Sequence, residues 1–537
     1  MSVMITTVTA APAELRDRVE ARVRSHRTLV LLGAGVSMMP PSSLPSGHAL
    51  LRAGLDEVLT DARARLLADD LSSTDRWHRL VPEVAFQRIV DIGGQLPTQA
   101  LLPLAIASPN PLHHWLTGLS EQGARLVTTN FDQLLERTCP SAQVVHLHGD
   151  IGALETLVAT IRRVGRGLSP ANSTAMEALV SWAEYLLVIG YSGNDRDVMD
   201  VIEARPPAVV DWVVQSESDW SFHNMGRLGA RREVVAIVSD LREVCRLVDR
   251  PSAGSGIGVR RPSWASRSTV LDSGAQHELL VGLYQAVDLH AESIPLAEAA
   301  LAAATDATRR ASIRVLLSHA LNRVDRQTEA LAVAEAALAE PTLDSLLRYR
   351  LLTERGLSLV DDVDIASARR DLAAALDIAE SLSSTGGDDR AILGSALHNL
   401  AYMELVAAMH QEKADLAAAE SLLVRAINEK RRAGDLPYLQ TSLRNLAALL
   451  CALGRGGDAA AFDIEFTELA ERYSLKWSYA YRFALEGWLR LSLGDGAGAV
   501  VALRRAWMLF EAEGDTVMSA KIVAALKDLP DGVVPKV

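Results

Sequence analysis

Short apolar runs recur through the first 250 residues, and each of them ends in small or polar residues. Amphipathic helical stretches lie between the runs, such as SGHALLRAGLDEVLTDARARLL and NPLHHWLTGLSEQG. Apolar strands that alternate with helices predict a parallel sheet covered on both faces. The first part of the chain is therefore expected to be an α/β domain. The six runs are TLVLLGAGVS, RLVTTNFD, QVVHLHGD, YLLVIGYSGND, DWVVQSES and EVVAIVSD.

The pattern changes after residue 276, where helical segments follow one another in pairs. Small residues recur there at intervals of roughly 40 residues, within the range of helical solenoids. Such residues in the second helix of each pair would allow close helix approach. The sequences around Gly454 and Gly494 resemble the turn between the two helices of a tetratricopeptide repeat (TPR). The repeat period here exceeds the usual TPR value of about 34 residues. We expect TPR-like repeats, with an Ala-rich helical bundle as the alternative. The recurring residues are Ala330, Ala368, Ala418, Ala460 and Ala499.

These patterns divide the chain into three segments. Residues 1–250 form the predicted sheet domain, and residues 276–537 form the predicted helical solenoid. Residues 251–275 are rich in Gly, Ser and Pro and lack periodicity, which indicates a linker or a strap across the first domain.

Composition excludes several classes of protein. The net charge of −13 over 537 residues argues against nucleic-acid binding as the main activity. Three distant cysteines, without a CxxC pair, cannot form a disulfide framework or a cysteine-held zinc site, so no metal is expected. The apolar runs are shorter than the roughly 20 residues that span a membrane. We expect a cytoplasmic protein without membrane contact.

Polar residues that follow the strands are the candidate site, because parallel sheets bind ligands at the carboxyl ends of their strands. Asn130 and Asp132 end one run, yet alone they are more typical of a turn and a helix cap. The glycines of LLGAGVS could approach a phosphate or could serve a tight turn. His146 and His148 alternate on one strand, where either could be a core residue. His113 and His114 are adjacent on a predicted helix, which is poor geometry for joint metal binding.

The motifs GAGVS, TTNFD, HLHGD and GYSGND occur in this order, with PNPLHHWL before the second. Together they resemble the sirtuin family, and more narrowly the sirtuin-like domains of bacterial antiphage proteins, over about residues 15–245. The resemblance implies a Rossmann-like fold that takes NAD as its substrate. It implies that Asn130, Asp132 and His148 are catalytic, with His148 as the base. The implied cofactor-binding residues are Gly33, Ala34, Gly35, Ser37, Thr129, Gly190, Ser192, Asp195 and Asp240.

Deacylating sirtuins carry a four-cysteine zinc module after the catalytic histidine, whereas residues 149–185 contain no cysteine and indicate helices. The resemblance therefore favours NAD hydrolysis over deacylation. We expect an NAD glycohydrolase that acts as an antiphage effector and forms a homo-oligomer. A phage protein or another trigger is expected to bind its repeats. Two alternatives stay open. One is an NAD-dependent deacylase whose repeats recruit the substrate, and the other is a non-catalytic module that binds NAD or an ADP-ribose derivative as a signal.

Overall fold

The chain divides by its internal contacts into two compact units. The computed structural model describes residues 5–216, 225–226, 228–229, 231–248, 262, 264, 270–340, 343–361, 364–384, 390–472, 477–513, 515–527 and 529. The sheet unit comprises Met1–Thr60 and Pro82–Val270. The helical unit comprises Asp61–Val81 and Leu271–Val537. Residues 61–81 thus group with the helices, although they lie inside the segment 1–250.

The sheet unit is built on seven parallel strands in the order β1-β7-β6-β5-β2-β3-β4. All six predicted runs form strands, and the seventh, β1, comes from the sequence ITTVT at the edge of the sheet. The predicted parallel sheet is therefore confirmed. The strands are β1 Ile5–Thr9, β2 Thr28–Leu32, β3 Arg125–Thr128, β4 Val144–His146, β5 Tyr185–Ile189, β6 Val209–Val214 and β7 Val234–Val238.

Helices cover both faces of the sheet, and alternate residues of each strand pack in opposite cores. Val30 and Leu32 of β2 pack in the apolar core that contains Leu15. Leu29 and Leu31 pack in the opposite core. Numbered along the chain, the helices of the sheet unit are α1 Pro12–Ser25, α2 Gly47–Val58, α4 Pro82–Gly93, α5 Thr98–Ile106, α6 Pro111–Glu121, α7 Leu134–Thr138, α8 Ile161–Gly165, α9 Pro170–Trp182, α10 Arg196–Ala204 and α11 Leu241–Leu247.

The helical unit consists of helices that pack mainly on their neighbours in sequence, as in a solenoid. The TPR-like helical repeats predicted from the sequence are confirmed. The stretch after residue 276 begins slightly earlier than predicted, with a helix from Ser273. The helices are α3 Ala62–Ser73, α12 Ser273–Ala286, α13 His290–Ala303, α14 Ala307–Arg323, α15 Gln327–Leu338, α16 Ser345–Asp361, α17 Ile365–Ser384, α18 Arg390–Met409, α19 Leu416–Ala433, α20 Leu436–Ala452, α21 Gly456–Arg472, α22 Trp477–Ser492, α23 Gly496–Glu513 and α24 Thr516–Lys527.

The register of the small residues differs from the prediction in two repeats. Ala330, Ala368 and Ala499 are fully buried, as expected. Ala418 is half-buried and Ala460 is exposed, and the alanine beside each of them takes the buried position instead. In Ala-rich helices several neighbouring alanines satisfy the pattern equally well, so the sequence does not determine which one faces the partner helix.

The predicted helical turns at two glycines are also present. Gly454 and Gly494 have φ angles of +76° and +82°, which glycine adopts without strain, and each lies just after a helix end. Helix α18 is long and apolar enough to cross a membrane by length and composition, with a mean hydropathy of 1.2, and half of that stretch is buried in the unit.

One predicted amphipathic stretch, residues 46–67, is divided between two helices. Helix α2 ends at Val58, and the Asp61 carboxylate accepts a hydrogen bond from Ala64 N at the start of α3. Helix α3 packs on α12, and the Tyr284 hydroxyl donates to Leu67 O at 3.1 Å. The amphipathic pattern continues across the break because both helices bury an apolar face, each in its own unit.

Most of the predicted linker lies outside the described residues. Trp264 is an exception: its ring is buried in an apolar cluster of the sheet unit, and its Nε1 donates to Ile151 O at 3.1 Å. At this residue the segment lies against the sheet unit, as a strap would.

Candidate functional site

The carboxyl ends of β2, β3, β4 and β5 lie level at one edge of the sheet. Leu32 pairs with Thr128 on one side and with Ile189 on the other, and Thr128 pairs with His146. The residues that follow these strands therefore emerge side by side. This edge contains the loop of Gly33, the Thr129–Asn130 turn, His148 and Gly190.

The glycines at this edge allow two strand-end loops to touch. A Cβ on Gly33 would lie 2.5 Å from Gly190 O, and one on Gly35 would lie 2.8 Å from Gly190 Cα. Gly190 itself has a φ of +66°. Close backbone packing between the loops after β2 and β5 therefore explains why glycine occupies positions 33, 35 and 190.

The amides of the Gly33 loop are hydrogen-bonded within the protein. Gly33 N donates to Ile189 O at 3.2 Å, and Gly35 N donates to Gly190 O at 2.9 Å. Ser37 N donates to Ala34 O at the end of a one-turn 3-10 helix, Ala34–Val36. In this conformation these N–H groups point to protein carbonyls, so the loop shows no ready set of amides for the expected pyrophosphate contact.

A buried hydrogen-bond network centres on Ser37. Its hydroxyl donates to Asp132 Oδ2 at 2.9 Å and accepts from Asn130 Nδ2 at 3.2 Å. His113 Nε2 lies 3.2 Å from the same oxygen. Ser37 and His113 are each 1% exposed, and Asp132 is 6% exposed. The structure thus brings together three of the predicted site residues with His113, which the sequence did not place in the site.

Both nitrogens of the His113 ring lie within hydrogen-bond distance of protein groups. Nε2 is 3.2 Å from Ser37 Oγ. Nδ1 is 2.8 Å from Asn110 Oδ1 and 3.1 Å from Asn110 N, within the cap of α6. Burial lowers the pKa of His113 to about 3, which keeps the ring neutral. Burial also raises the pKa of Asp132, and the hydrogen bond from Ser37 only partly opposes this.

Asn130 is half-buried and its amide has a defined orientation. The NH2 group donates to Gly33 O and to Ser37 Oγ, both at 3.2 Å. A backbone carbonyl can only accept, so the nitrogen must face Gly33. Oδ1 therefore faces away from these partners as an acceptor. The NH2 group would have been the natural donor to a ribose hydroxyl, and it is engaged here.

The two strand histidines have different partners. His146 Nδ1 contacts Asn130 O at 2.9 Å, and its Nε2 contacts Glu136 at 2.7 Å. Burial lowers the pKa of His146, but the hydrogen bond and charge of Glu136 outweigh it and raise the pKa overall. His148 Nε2 lies 3.2 Å from Asp197 Oδ2, and both side chains are buried.

The remaining predicted residues spread along the edge. Thr129 follows β3, and its N–H donates to Leu32 O. Ser192 lies in the loop after β5, and Asp195 precedes the first residue of α10. Asp240 follows β7, where its carboxylate caps α11 by accepting from Arg242 N at 2.8 Å. Strand β7 is two places from β5, so Asp240 lies at a different part of the edge.

Among the residues that the structure describes, one group has metal-ligating atoms near each other: His148, Asp195 and Asp197, within 4.8 Å. The hydrogen bond between His148 and Asp197 already uses two of these atoms. The absence of a metal expected from the sequence stays a prediction, which elemental analysis of the purified protein would test.

Sequence reasoning missed Asp197 and gave its neighbour Asp195 instead. Both belong to GYSGNDRD, and only the fold shows that the second aspartate reaches His148. The role of His113 was accessible in part, since PNPLHH has the asparagine and proline of a helix start. Its bond to a residue 76 positions earlier was not.

The fold defines the class of protein as a parallel-sheet unit joined to TPR-like helical repeats. No protein-family model matches the chain, and no curated protein matches it significantly. One similar solved structure is a Rap protein complexed with competence and sporulation factor, at 12% identity and a TM-score of 0.37, over 48% of this chain and 74% of the other. Another is a signal transduction ATPase with numerous domains and a tetratricopeptide repeat sensor from Pyrococcus horikoshii, at 11% identity and a TM-score of 0.35, over 95% and 85%.

Proposed function

We propose that this chain is an NAD glycohydrolase, which cleaves NAD with water to nicotinamide and ADP-ribose. The observation that carries the proposal is the direct contact of Ser37 with Asn130 and Asp132 at the carboxyl edge of the sheet. These residues belong to the motifs GAGVS and TTNFD, through which the sequence resembles the sirtuin family. A ligand crevice at this edge is also the general rule for such sheets.

The orientation of Asn130 suits a reaction with water. Loss of nicotinamide develops positive charge on the anomeric carbon of the ribose, so the protein must mainly fix the sugar and position the nucleophile. Asn130 Oδ1 is an acceptor that a water molecule or a ribose hydroxyl could donate to. Its NH2 group is fixed by Gly33 and Ser37, which reduces the ordering cost of the contact.

The geometry supports a positioning role for Asp132 rather than direct contact with NAD. One carboxylate oxygen accepts from Ser37, and the other accepts from Leu134 N at 3.2 Å. Both oxygens are therefore engaged in a buried site. Asp132 would act by holding Ser37, which in turn holds the amide of Asn130.

His148 is the proposed base. It follows β4, next to β3 and Asn130 in the sheet, and its ring is nearly buried. A histidine there could take a proton from a ribose hydroxyl, or from water through that hydroxyl.

The helical unit is proposed to bind a protein partner and thereby to control the enzyme. A cavity of about 540 Å³ lies among α21, α22 and α23. Its walls combine aromatic rings with charges, and the Arg505 guanidinium carbon lies 4.0 Å from the centre of the Phe483 ring. Solenoids commonly use such surfaces for recognition. By the resemblance, we propose that the partner is a phage trigger, that the protein acts as a homo-oligomer in the cytoplasm, and that NAD depletion protects a bacterial population.

The test is nicotinamide release by the purified full-length protein with NAD, alone and with phage lysate. We expect wild type to release nicotinamide and ADP-ribose, and we expect Asn130→Ala and His148→Ala to lose at least 100-fold of that rate, on the order expected for a catalytic group. Gln122→Ala, which removes an exposed amide, should keep the wild-type rate.

Two results would contradict the proposal. One is wild-type protein that releases no nicotinamide in either condition although it is folded. The other is release that depends on an acyl-lysine peptide and yields the deacylated peptide, which would identify a deacylase instead.

A further inference from the structure

Asp197 links the loop after β5 to the loop after β4. Its Oδ2 lies 3.2 Å from His148 Nε2, with the two side chains 9% and 8% exposed. Asp197 belongs to the first turn of α10, and its Oδ1 accepts from Val198 N at 3.1 Å. The helix therefore holds the carboxylate, and the carboxylate holds the imidazole ring.

This bond selects one tautomer of His148. A carboxylate can only accept, so Nε2 must carry a proton. In the neutral ring Nδ1 is then the atom with the lone pair. Among the described residues Nδ1 has no hydrogen-bond partner, so it is available to a ligand.

The charged groups around His148 come from two elements. Asp195 and Asp197 lie at the start of α10, and Glu83 lies in the first turn of α4. Burial lowers the pKa of His148, but the Asp197 hydrogen bond and the charges of the three carboxylates outweigh it and raise the pKa.

We infer that Asp197 is a positioning residue that holds His148 with Nδ1 directed to take a proton from the substrate. This inference rests on the proposed NAD hydrolysis. In that step the C–N bond breaks and nicotinamide leaves with its electron pair. The oxygen of water bonds to the anomeric carbon, and one proton of that water ends on Nδ1 of His148, directly or through a ribose hydroxyl. Asp197 stabilises the resulting imidazolium without touching NAD.

The experiment combines the pH profile of nicotinamide release with NMR of the histidine rings in the full-length protein. Nitrogen-15 shifts of the rings report the tautomer and the titration midpoint without any need for turnover, and His148→Gln assigns the signal. In wild type we expect the Nε2–H tautomer, a midpoint above 6.5, and a rate that rises with pH through that midpoint, because only the neutral ring can accept a proton.

Two substitutions separate charge from orientation. Asp197→Asn keeps an acceptor oxygen near Nε2 but removes the charge, so the midpoint and the acidic limb of the rate should both fall by about one pH unit. Asp197→Ala removes both, and the rate constant should fall at least 10-fold with little change in KM. Asp200→Asn removes an exposed carboxylate of the same helix, which pairs with Arg196, and should change neither quantity.

An unchanged midpoint, tautomer and acidic limb in folded Asp197→Asn would overturn the inference. A midpoint that falls as expected in a protein whose wild type shows no nicotinamide release would support the contact but remove the proposed function. The ring signal and the turnover thus fail independently.

Discussion

Asn130 shows how far the role of one side chain depends on residues remote in sequence. Its place after β3 follows from the apolar run RLVTT and the polar residues behind it. Its orientation depends on Gly33 and Ser37, which lie 97 and 93 positions earlier. Sequence reasoning could therefore name Asn130, but it could not tell which end of its amide is available.

Replacement of the amide by a carboxylate tests this orientation. In Asn130→Asp an oxygen would take the place of Nδ2, 3.2 Å from Gly33 O, where two acceptors repel each other. We expect Asn130→Asp to lower the free energy of unfolding by about 1–3 kcal/mol at pH 8, and to be less stable than Asn130→Ala. Urea unfolding of the three proteins is the measurement, and equal stability of Asn130→Asp and wild type would contradict the orientation.

The neutral state of His113 predicts an acid sensitivity. Its pKa is about 3 in the folded protein and 6.5 as a free group. As the pH falls from 6.5 towards 3, the unfolded chain gains a proton that the folded protein does not, so stability falls with pH in this window. His113→Gln, which does not titrate, should show a shallower loss of stability between pH 7 and pH 4. Identical slopes of the urea midpoint against pH would refute the prediction.

At the scale of elements, the sequence predicted well where one pattern had one structural explanation. The six apolar runs are all strands, because short runs rich in β-branched residues that end in small or polar residues suit strands buried in a covered sheet. Strand β1 was missed since ITTVT contains three threonines and only two apolar residues, and it lies at the edge of the sheet with one neighbouring strand. The division of residues 46–67 was missed because α2 and α3 bury similar faces in different units.

The contact between the loops after β2 and β5 can be tested with glycine substitutions. A Cβ on Gly35 meets backbone atoms of Gly190, which cannot move aside cheaply. We expect Gly35→Ala to destabilise the sheet unit by about 1–3 kcal/mol. Gly456→Ala is the matched control, because a Cβ there meets nothing within 4 Å, and its effect should stay within about 0.5 kcal/mol. Denaturant unfolding compares them, and a neutral Gly35→Ala would show that the loops are not in close contact.

At the scale of the whole molecule, the chain leaves the sheet unit after Thr60, adds α3 to the helical unit, and returns at Pro82. The two units are thus joined by three chain crossings instead of one. The sequence did not predict that α3 belongs to the helical unit, because α3 has an ordinary amphipathic composition and its partner α12 follows some two hundred residues later.

A pair of leucines on α3 tests the membership of this helix in the helical unit. Leu71 is fully buried, whereas Leu66 is 68% exposed. We expect Leu71→Asp to lower the melting temperature of the helical unit, since it buries an unpaired charge, and Leu66→Asp to leave it unchanged. Thermal unfolding gives the melting temperatures, and hydrogen exchange of the α12 amides shows where the loss occurs. Unaltered protection of α12 in Leu71→Asp would contradict the packing of α3 on α12.

The position of α3 in the chain also means that it is synthesised well before the helix on which it packs. Leu67 and its partner Tyr284 are 217 residues apart, so at about 5–20 residues per second the ribosome delivers the second roughly 10–40 s after the first. Throughout that interval the apolar face of α3 has left the ribosome and its docking helix does not yet exist. We therefore expect this face to stay without its packing partner until α12 has been synthesised, so that the nascent chain must avoid premature pairing there.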